Sequence, residues 1–413
     1  MWQDHIDKIL KSLGYQQLTH EPCIYVNRRK DLKEEVYLLR QVDDFAIACT
    51  DKYTADLLWD EIDSKLNADL KREGLLQRHN GVDIEQTRNY IRINCKIYLT
   101  KILQPKQALL PPYTRKRKPT PMKADHEYIR KLETVVGPTE HTAQQELEKK
   151  MGFKYRAATG ELIFAMVTCR PDISHSIIKL TQYNNNPAEI HYQAVLDIYA
   201  YLRDTINKGL TYWKTQPDHI LPVNTPIQPD AEEYALNLPI EHNDPASTYG
   251  YVDSDWAGDI QTRKSVSGIA FLLAGAAIVY KTLHQKSVAL SSTEAEFYAL
   301  AEAGKIALYI RSILNELGIN QHHATPIFED NQGCLFMAEA RKPTKKTRHI
   351  EIRHYAILDW IEHDLITVKK IHTSDNAADT LNNTLSGTLF HRHNDTLMGN
   401  RQPTRLPPTT PTD

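Results

Sequence analysis

Ser291-Ser-Thr-Glu-Ala-Glu-Phe-Tyr-Ala-Leu-Ala-Glu-Ala303 is the stretch on which the fold of this chain turns. Two serines and a threonine precede a run of strong helix formers, the pattern of a helix start, and no proline follows before Leu317. Glu294 and Glu296 are two apart, so on a helix they point roughly 200° apart. Only one of them can face a given site, and the other is expected on ordinary surface. Upstream, Tyr249-Gly-Tyr-Val-Asp-Ser-Asp-Trp-Ala-Gly258 reads as a strand ending in acid. Downstream, Thr325-Pro-Ile-Phe-Glu-Asp-Asn-Gln332 reads as a second such strand, and Ala377-Ala-Asp379 begins a further acidic helix. Strands alternating with helices predict a mixed sheet covered on its faces. The expected strands are 248–253, 266–273, 276–283, 326–329 and 365–371, and the expected helices are 293–317, 332–340, 351–362 and one from Asn376.

Composition sets the outer limits. A chain of 413 residues is long enough for several domains, each with its own core. With 41% hydrophobic and 25% charged residues, it has the usage of an ordinary globular protein. The cysteines (Cys23, Cys49, Cys95, Cys169, Cys334) are scattered without a C-x-x-C pair. That spacing argues against a zinc site or a disulfide framework and for a reducing, intracellular compartment, cytoplasm or nucleus. No apolar run reaches membrane length, and Met1-Trp-Gln-Asp is not the start of a signal peptide. A formal net charge of −2 means that nucleic-acid binding must use local basic surfaces.

Six motifs occur in order between Gly250 and Asp379. They are Gly250-Tyr-Val-Asp-Ser-Asp-Trp-Ala-Gly-Asp259, Arg263-Lys-Ser-Val-Ser-Gly268, Ala289-Leu-Ser-Ser-Thr-Glu-Ala-Glu296, Glu329-Asp-Asn-Gln332, Thr347-Arg-His-Ile-Glu-Ile-Arg353 and Ala378-Asp379. In wording and order they resemble the Pol polyproteins of copia-type LTR retrotransposons, at the end of reverse transcriptase and in its ribonuclease H domain. The resemblance implies a ribonuclease H-like domain over 247–390 that cuts RNA in RNA–DNA hybrids. It implies Asp253, Glu296, Asp330 and Asp379 as catalytic residues and metal ligands for two Mg²⁺ ions, with Mn²⁺ as a substitute. Asp255 shares a strand face with Asp253, so sequence leaves the choice of first ligand open. Phosphodiester hydrolysis needs an activated water and a stabilised leaving oxygen, and two divalent ions about 3.5–4 Å apart meet both needs. Hard Mg²⁺ prefers carboxylate oxygens, which is why acids should converge. His372, before the last acid, is a candidate for assisting proton transfer. Lys345, Lys346 and Arg348 lie in the most basic stretch of this domain and are candidate nucleic-acid contacts. Asn331, Gln332 and Ser254 are candidates for 2′-hydroxyl contacts.

The remainder follows the same resemblance. Trp2, Ile6, Ile9, Leu10 and Leu13 fall at helical spacing and the helix closes at Gly14. Val36 to Cys49 reads as two strands around a turn carrying Asp43 and Asp44. An acidic hairpin tip is by itself an ordinary solvated turn. Leu13-Gly-Tyr, Glu21-Pro-Cys-Ile-Tyr25 and Val42-Asp-Asp44 come in the order of the copia reverse transcriptase palm, which makes the pair a polymerase remnant. Gln41 stands where the family has Tyr, and the third palm acid would lie upstream of this chain, so the polymerase site is expected to be incomplete. The missing N-terminal polymerase segment and other Pol products are possible partners alongside the RNA–DNA hybrid. The domain reading is a partial palm and start of thumb over 1–104, a linker over 105–150, a helical connection over 151–213, a second linker over 214–246, the 247–390 domain and a disordered tail over 391–413. Arg170-Pro-Asp172 is read as a helix boundary. The fold class is therefore α/β: an α+β palm fragment and helical connection, then a mixed sheet with flanking helices. The alternative function is a catalytically inactive nucleic-acid-binding remnant of the polyprotein.

Overall fold

The computed structural model describes residues 2–30, 32, 35–49, 52–67, 70–87, 89–111, 120–214, 246–259, 262–340 and 351–400. It divides into two compact units, one formed by Met1–Leu76 with Leu308–His322, the other by Gln77–Ala307 with His323–Asp413. Lys345, Lys346, Arg348 and most of the second linker lie outside the described residues.

The first unit holds α1 (Trp2–Ser12), β1 (Tyr15–Gln17), β2 (Ile24–Asn27), β3 (Val36–Gln41), β4 (Asp44–Ala48) and α2 (Lys52–Leu66). The strands form one sheet in sequence order, antiparallel throughout. Ile6, Ile9 and Leu10 of α1 and Leu58 and Ile62 of α2 share a core with Tyr25, Val36 and Leu38, as their periodicity predicts. Gln41 pairs with Asp44, so Val42 and Asp43 form a two-residue turn at the hairpin tip. Val42 takes φ +56°, a conformation that a β-branched residue adopts only under strain.

The second unit begins with β5 (Arg78–His79), β6 (Val82–Gln86), β7 (Tyr90–Asn94) and α3 (Lys96–Leu103). Four more helices before residue 170 and beyond follow: α4 (His126–Thr134), α5 (His141–Met151), α6 (Tyr155–Cys169) and α7 (Ser174–Thr181). Then come α8 (Glu189–Asp204) and β8 (Gly209–Trp213), which returns to pair antiparallel with β7. The remaining elements are β9 (Tyr249–Asp255), β10 (Val266–Leu273), β11 (Ala276–His284), α9 (Ser292–Glu316), β12 (Thr325–Glu329), α10 (Gln332–Glu339), α11 (Glu351–Glu362), β13 (Ile366–Lys370), α12 (Asp379–Asn382) and α13 (Gly387–Leu397). The last turns of α9 belong to the first unit.

The sheet order β11-β10-β9-β12-β13 places the first acidic strand at the centre. The β9–β10–β11 meander is antiparallel, whereas β12 and β13 run parallel to β9. Such a mixed sheet leaves the ends of β9 and β12 side by side, each followed by polar sequence. Leu162, Ala165, Tyr199 and Tyr201 from the α6 and α8 helices join Tyr249, Tyr251, Ala270 and Leu272 of the sheet in one buried core.

Two stretches depart from the sequence reading. Residues 120–150, expected as linker, carry α4 and α5. Asp125 caps α4 by accepting Tyr128 N at 2.7 Å, and Met122 and Leu132 are buried. The start of the expected tail, 391–400, completes α13, where Phe390, Leu397 and Met398 are buried. In both places a few apolar residues dock on the main core, which outweighs polar composition.

Candidate active site

The α9 helix starts where its caps require. Ser291 Oγ accepts Glu294 N at 3.2 Å, and Glu294 returns a carboxylate oxygen to Leu290 N at 2.8 Å. Tyr298 OH donates to the other Glu294 oxygen. Glu294 is thus buried in a capping role, which corrects the expectation of a surface residue. Glu296, on the opposite side of the turn, is also buried.

Asp253, Glu296 and Asp330 converge from β9, α9 and the end of β12. Each offers a carboxylate oxygen, and the three oxygens lie within 4.8 Å of one another. Asp379, the first residue of α12, stands outside that trio but is tied to it. Asn383 Nδ2 donates to Asp379 Oδ1 at 2.7 Å and to Asp253 Oδ2 at 3.3 Å, while Asn382 Nδ2 donates to Asp253 Oδ2 at 2.7 Å. Asn376 Nδ2 donates to Val252 O at 2.8 Å and so pins the chain before α12 to β9. Asp255 is placed differently. Its Oδ2 sits 1.9 Å from where a Cβ on Gly258 would be, so its carboxylate lies over the following turn.

Burial and crowding raise Asp253, Asp379 and Glu296 alike. Burial first, then Asp379 and Asp330, push Asp253 up to about 8. Burial, with Asp330 adding to it, pushes Asp379 up to about 6, against the hydrogen bond from Asn383. Glu296 is raised by burial and then by Glu329, a fully buried acid whose own value burial raises well above the ordinary carboxylate range. Glu296 Oε2 and Glu329 Oε2 are buried with no hydrogen-bond partner. Buried polar oxygens left without partners are costly, and a hard divalent cation is a partner that carboxylate oxygens suit.

Other candidates fall elsewhere. His372 is exposed and accepts Ser374 N, holding a local turn. Asn331 caps α10 through Cys334 N, Gln332 accepts from Lys370, and Ser254 is buried against Gln285. Asp43 and Asp44 are exposed on the β3–β4 hairpin, and among the described residues neither belongs to a group of three or more side chains that could hold a metal.

Glu329, Asn382, Asn383 and Gly268 were not singled out from sequence. Glu329 carried a signal, being an acid inside an apolar strand run. Gly268 pairs with Asp253 in the β9–β10 register, and a Cβ there would lie 2.5 Å from Ala378 O. Only glycine lets α12 approach so closely. Gly268→Ala is therefore expected to destabilise the chain by about 1–3 kcal/mol as α12 shifts, measured by urea unfolding. A wild-type midpoint would show that the contact relaxes without cost.

The sheet order, with acids at the ends of its central strands and on the helices beside them, defines a mixed α/β fold. Relatives at 25–30% identity over more than nine-tenths of the chain are retrovirus-related Pol polyproteins of copia-type transposons. The chain is 30% identical over 384 residues to the Pol polyprotein from transposon TNT 1-94 of Nicotiana tabacum, covering 92% of this chain and 26% of that protein. It is 25% identical over 390 residues to the Pol polyprotein from transposon RE1 of Arabidopsis thaliana, covering 94% of this chain and 23% of that one. The chain thus spans about a quarter of the length of these relatives. No protein-family model matches it. Among solved structures, LC11-RNase H1 isolated from compost is similar over 33% of this chain and 92% of its own, at 14% identity and a TM-score of 0.26. Among the described residues no helix is long and apolar enough to cross a membrane.

Proposed function

We propose that this chain is a metal-dependent endonuclease that hydrolyses the RNA strand of RNA–DNA hybrids. The observation that carries the reading is the convergence of Asp253, Glu296 and Asp330, from three separate elements, onto one point. These three residues, with Asp379 beside them, would hold Mg²⁺ or Mn²⁺. When bound, the ions supply positive charge for the attacking water and the leaving oxygen of the phosphodiester. The protein's part is preorganisation. Burial keeps bulk water from screening the carboxylates, and Asn382 and Asn383 hold two of them in fixed orientation. Asp43 and Asp44 are left as a polymerase remnant on a separate hairpin.

Cleavage of an end-labelled hybrid by the purified chain tests this. RNA fragments should form with Mg²⁺ or Mn²⁺ and not with EDTA, while the DNA strand stays intact. A folded chain that binds the hybrid but cuts nothing with either ion would replace the enzyme with the nucleic-acid-binding remnant.

A further inference from the structure

We propose that Asn383 is a positioning residue that clamps Asp379 to Asp253, bringing the fourth carboxylate up to the three-acid cluster. The inference rests on the metal-site reading above and concerns residues just beyond the motif that ends at Asp379. An amide nitrogen carries two hydrogens, and Asn383 Nδ2 spends one on each acid, at 2.7 Å to Asp379 Oδ1 and 3.3 Å to Asp253 Oδ2. Asn382 Nδ2 meets the same Asp253 oxygen at 2.7 Å and Val266 O at 3.2 Å, tying the clamp to β10.

The chemistry of the amide matters. A neutral donor holds two carboxyl groups together without supplying a competing positive charge, so both remain available to a cation. A lysine there would neutralise one of them, and an aliphatic residue would leave the two acids to repel. The clamp engages Asp253 through Oδ2 alone. The short α12 helix could not hold Asp379 by itself, because four residues make barely one turn. Its register depends on Asn376 before it, Asn382 at its end, Asn383 just after it, and the absence of a side chain on Gly268 beneath it.

Calorimetric titration of Mn²⁺ into the full chain, with thermal unfolding in EDTA alongside, tests the role. Asn383→Leu keeps the volume and removes both donors, and should weaken Mn²⁺ binding about tenfold or more while the chain stays folded. Asn383→Ser, whose hydroxyl is too short to span both acids, should lose affinity to a similar extent and covers the case in which the leucine variant fails to fold. Folded variants that bind Mn²⁺ as tightly as the wild type would overturn the clamp and leave the metal site standing. A wild type that binds no Mn²⁺ would overturn both.

Discussion

Asp253→Asn should reduce hybrid cleavage by roughly a thousandfold or more while leaving the chain folded. The carboxamide keeps the shape and can still accept the Asn382 hydrogen bond, but it lacks the charge that holds a cation. Loss of metal-stabilised charge costs several kcal/mol of barrier, and each 1.36 kcal/mol is about tenfold in rate. The sign of the stability effect provides a control. Asp253 is raised in the fold to about 8 by burial and neighbouring acids, above its ordinary unfolded value. A raised carboxylate lowers stability progressively as pH climbs from the unfolded value to the folded one. In EDTA above neutral pH, Asp253→Asn should therefore unfold at the same temperature as the wild type or a higher one. Asp255→Asn and Glu294→Gln should be much milder in activity, since one carboxylate lies over a turn and the other caps α9. An active Asp253→Asn with a dead Asp255→Asn would reassign the first ligand.

Arg170→Met should cost about 3–5 kcal/mol of stability, the effect of stripping one partner from a buried ion pair. Arg170 and Asp172 are both fully buried, with two hydrogen bonds of 2.8 Å between them. Arg170 also reaches Thr205 O and Oγ1, and Tyr201 OH donates to Asp172 at 2.7 Å. The variant leaves Asp172 buried with the tyrosine alone. Burial by itself would raise Asp172, but the guanidinium outweighs it and holds the carboxyl below its ordinary value. Its contribution is present above the unfolded pKa of about 3.9 and is lost as pH falls through the depressed folded value. Urea unfolding at neutral pH measures the loss, and the double variant Arg170→Met/Asp172→Leu should recover most of it. A single variant within 1 kcal/mol of the wild type would show that water reaches the site.

The sequence by itself determined the elements from β9 to β13. The cap and helix formers at Ser291 set where α9 begins, alternation and apolar runs marked β9 to β13, and the order of acids pointed to the fold. Those features are local, because hydrophobic period and capping act within a few residues. Tertiary structure alone decided what each polar group does. Arg170-Pro-Asp172 reads as a helix boundary in the chain and is a buried ion pair in the fold, since burial is contributed by Tyr201 and Thr205 some 30 residues on. Glu294 is an acid expected on ordinary surface until α9 packs and buries it. The approach of Asp379 to Asp253 depends on a missing side chain at Gly268 and two amides after the motif. No window of sequence holds all of these, because the distance between two carboxylates is set by how strands and helices from across the domain stack, and only the packed core fixes that.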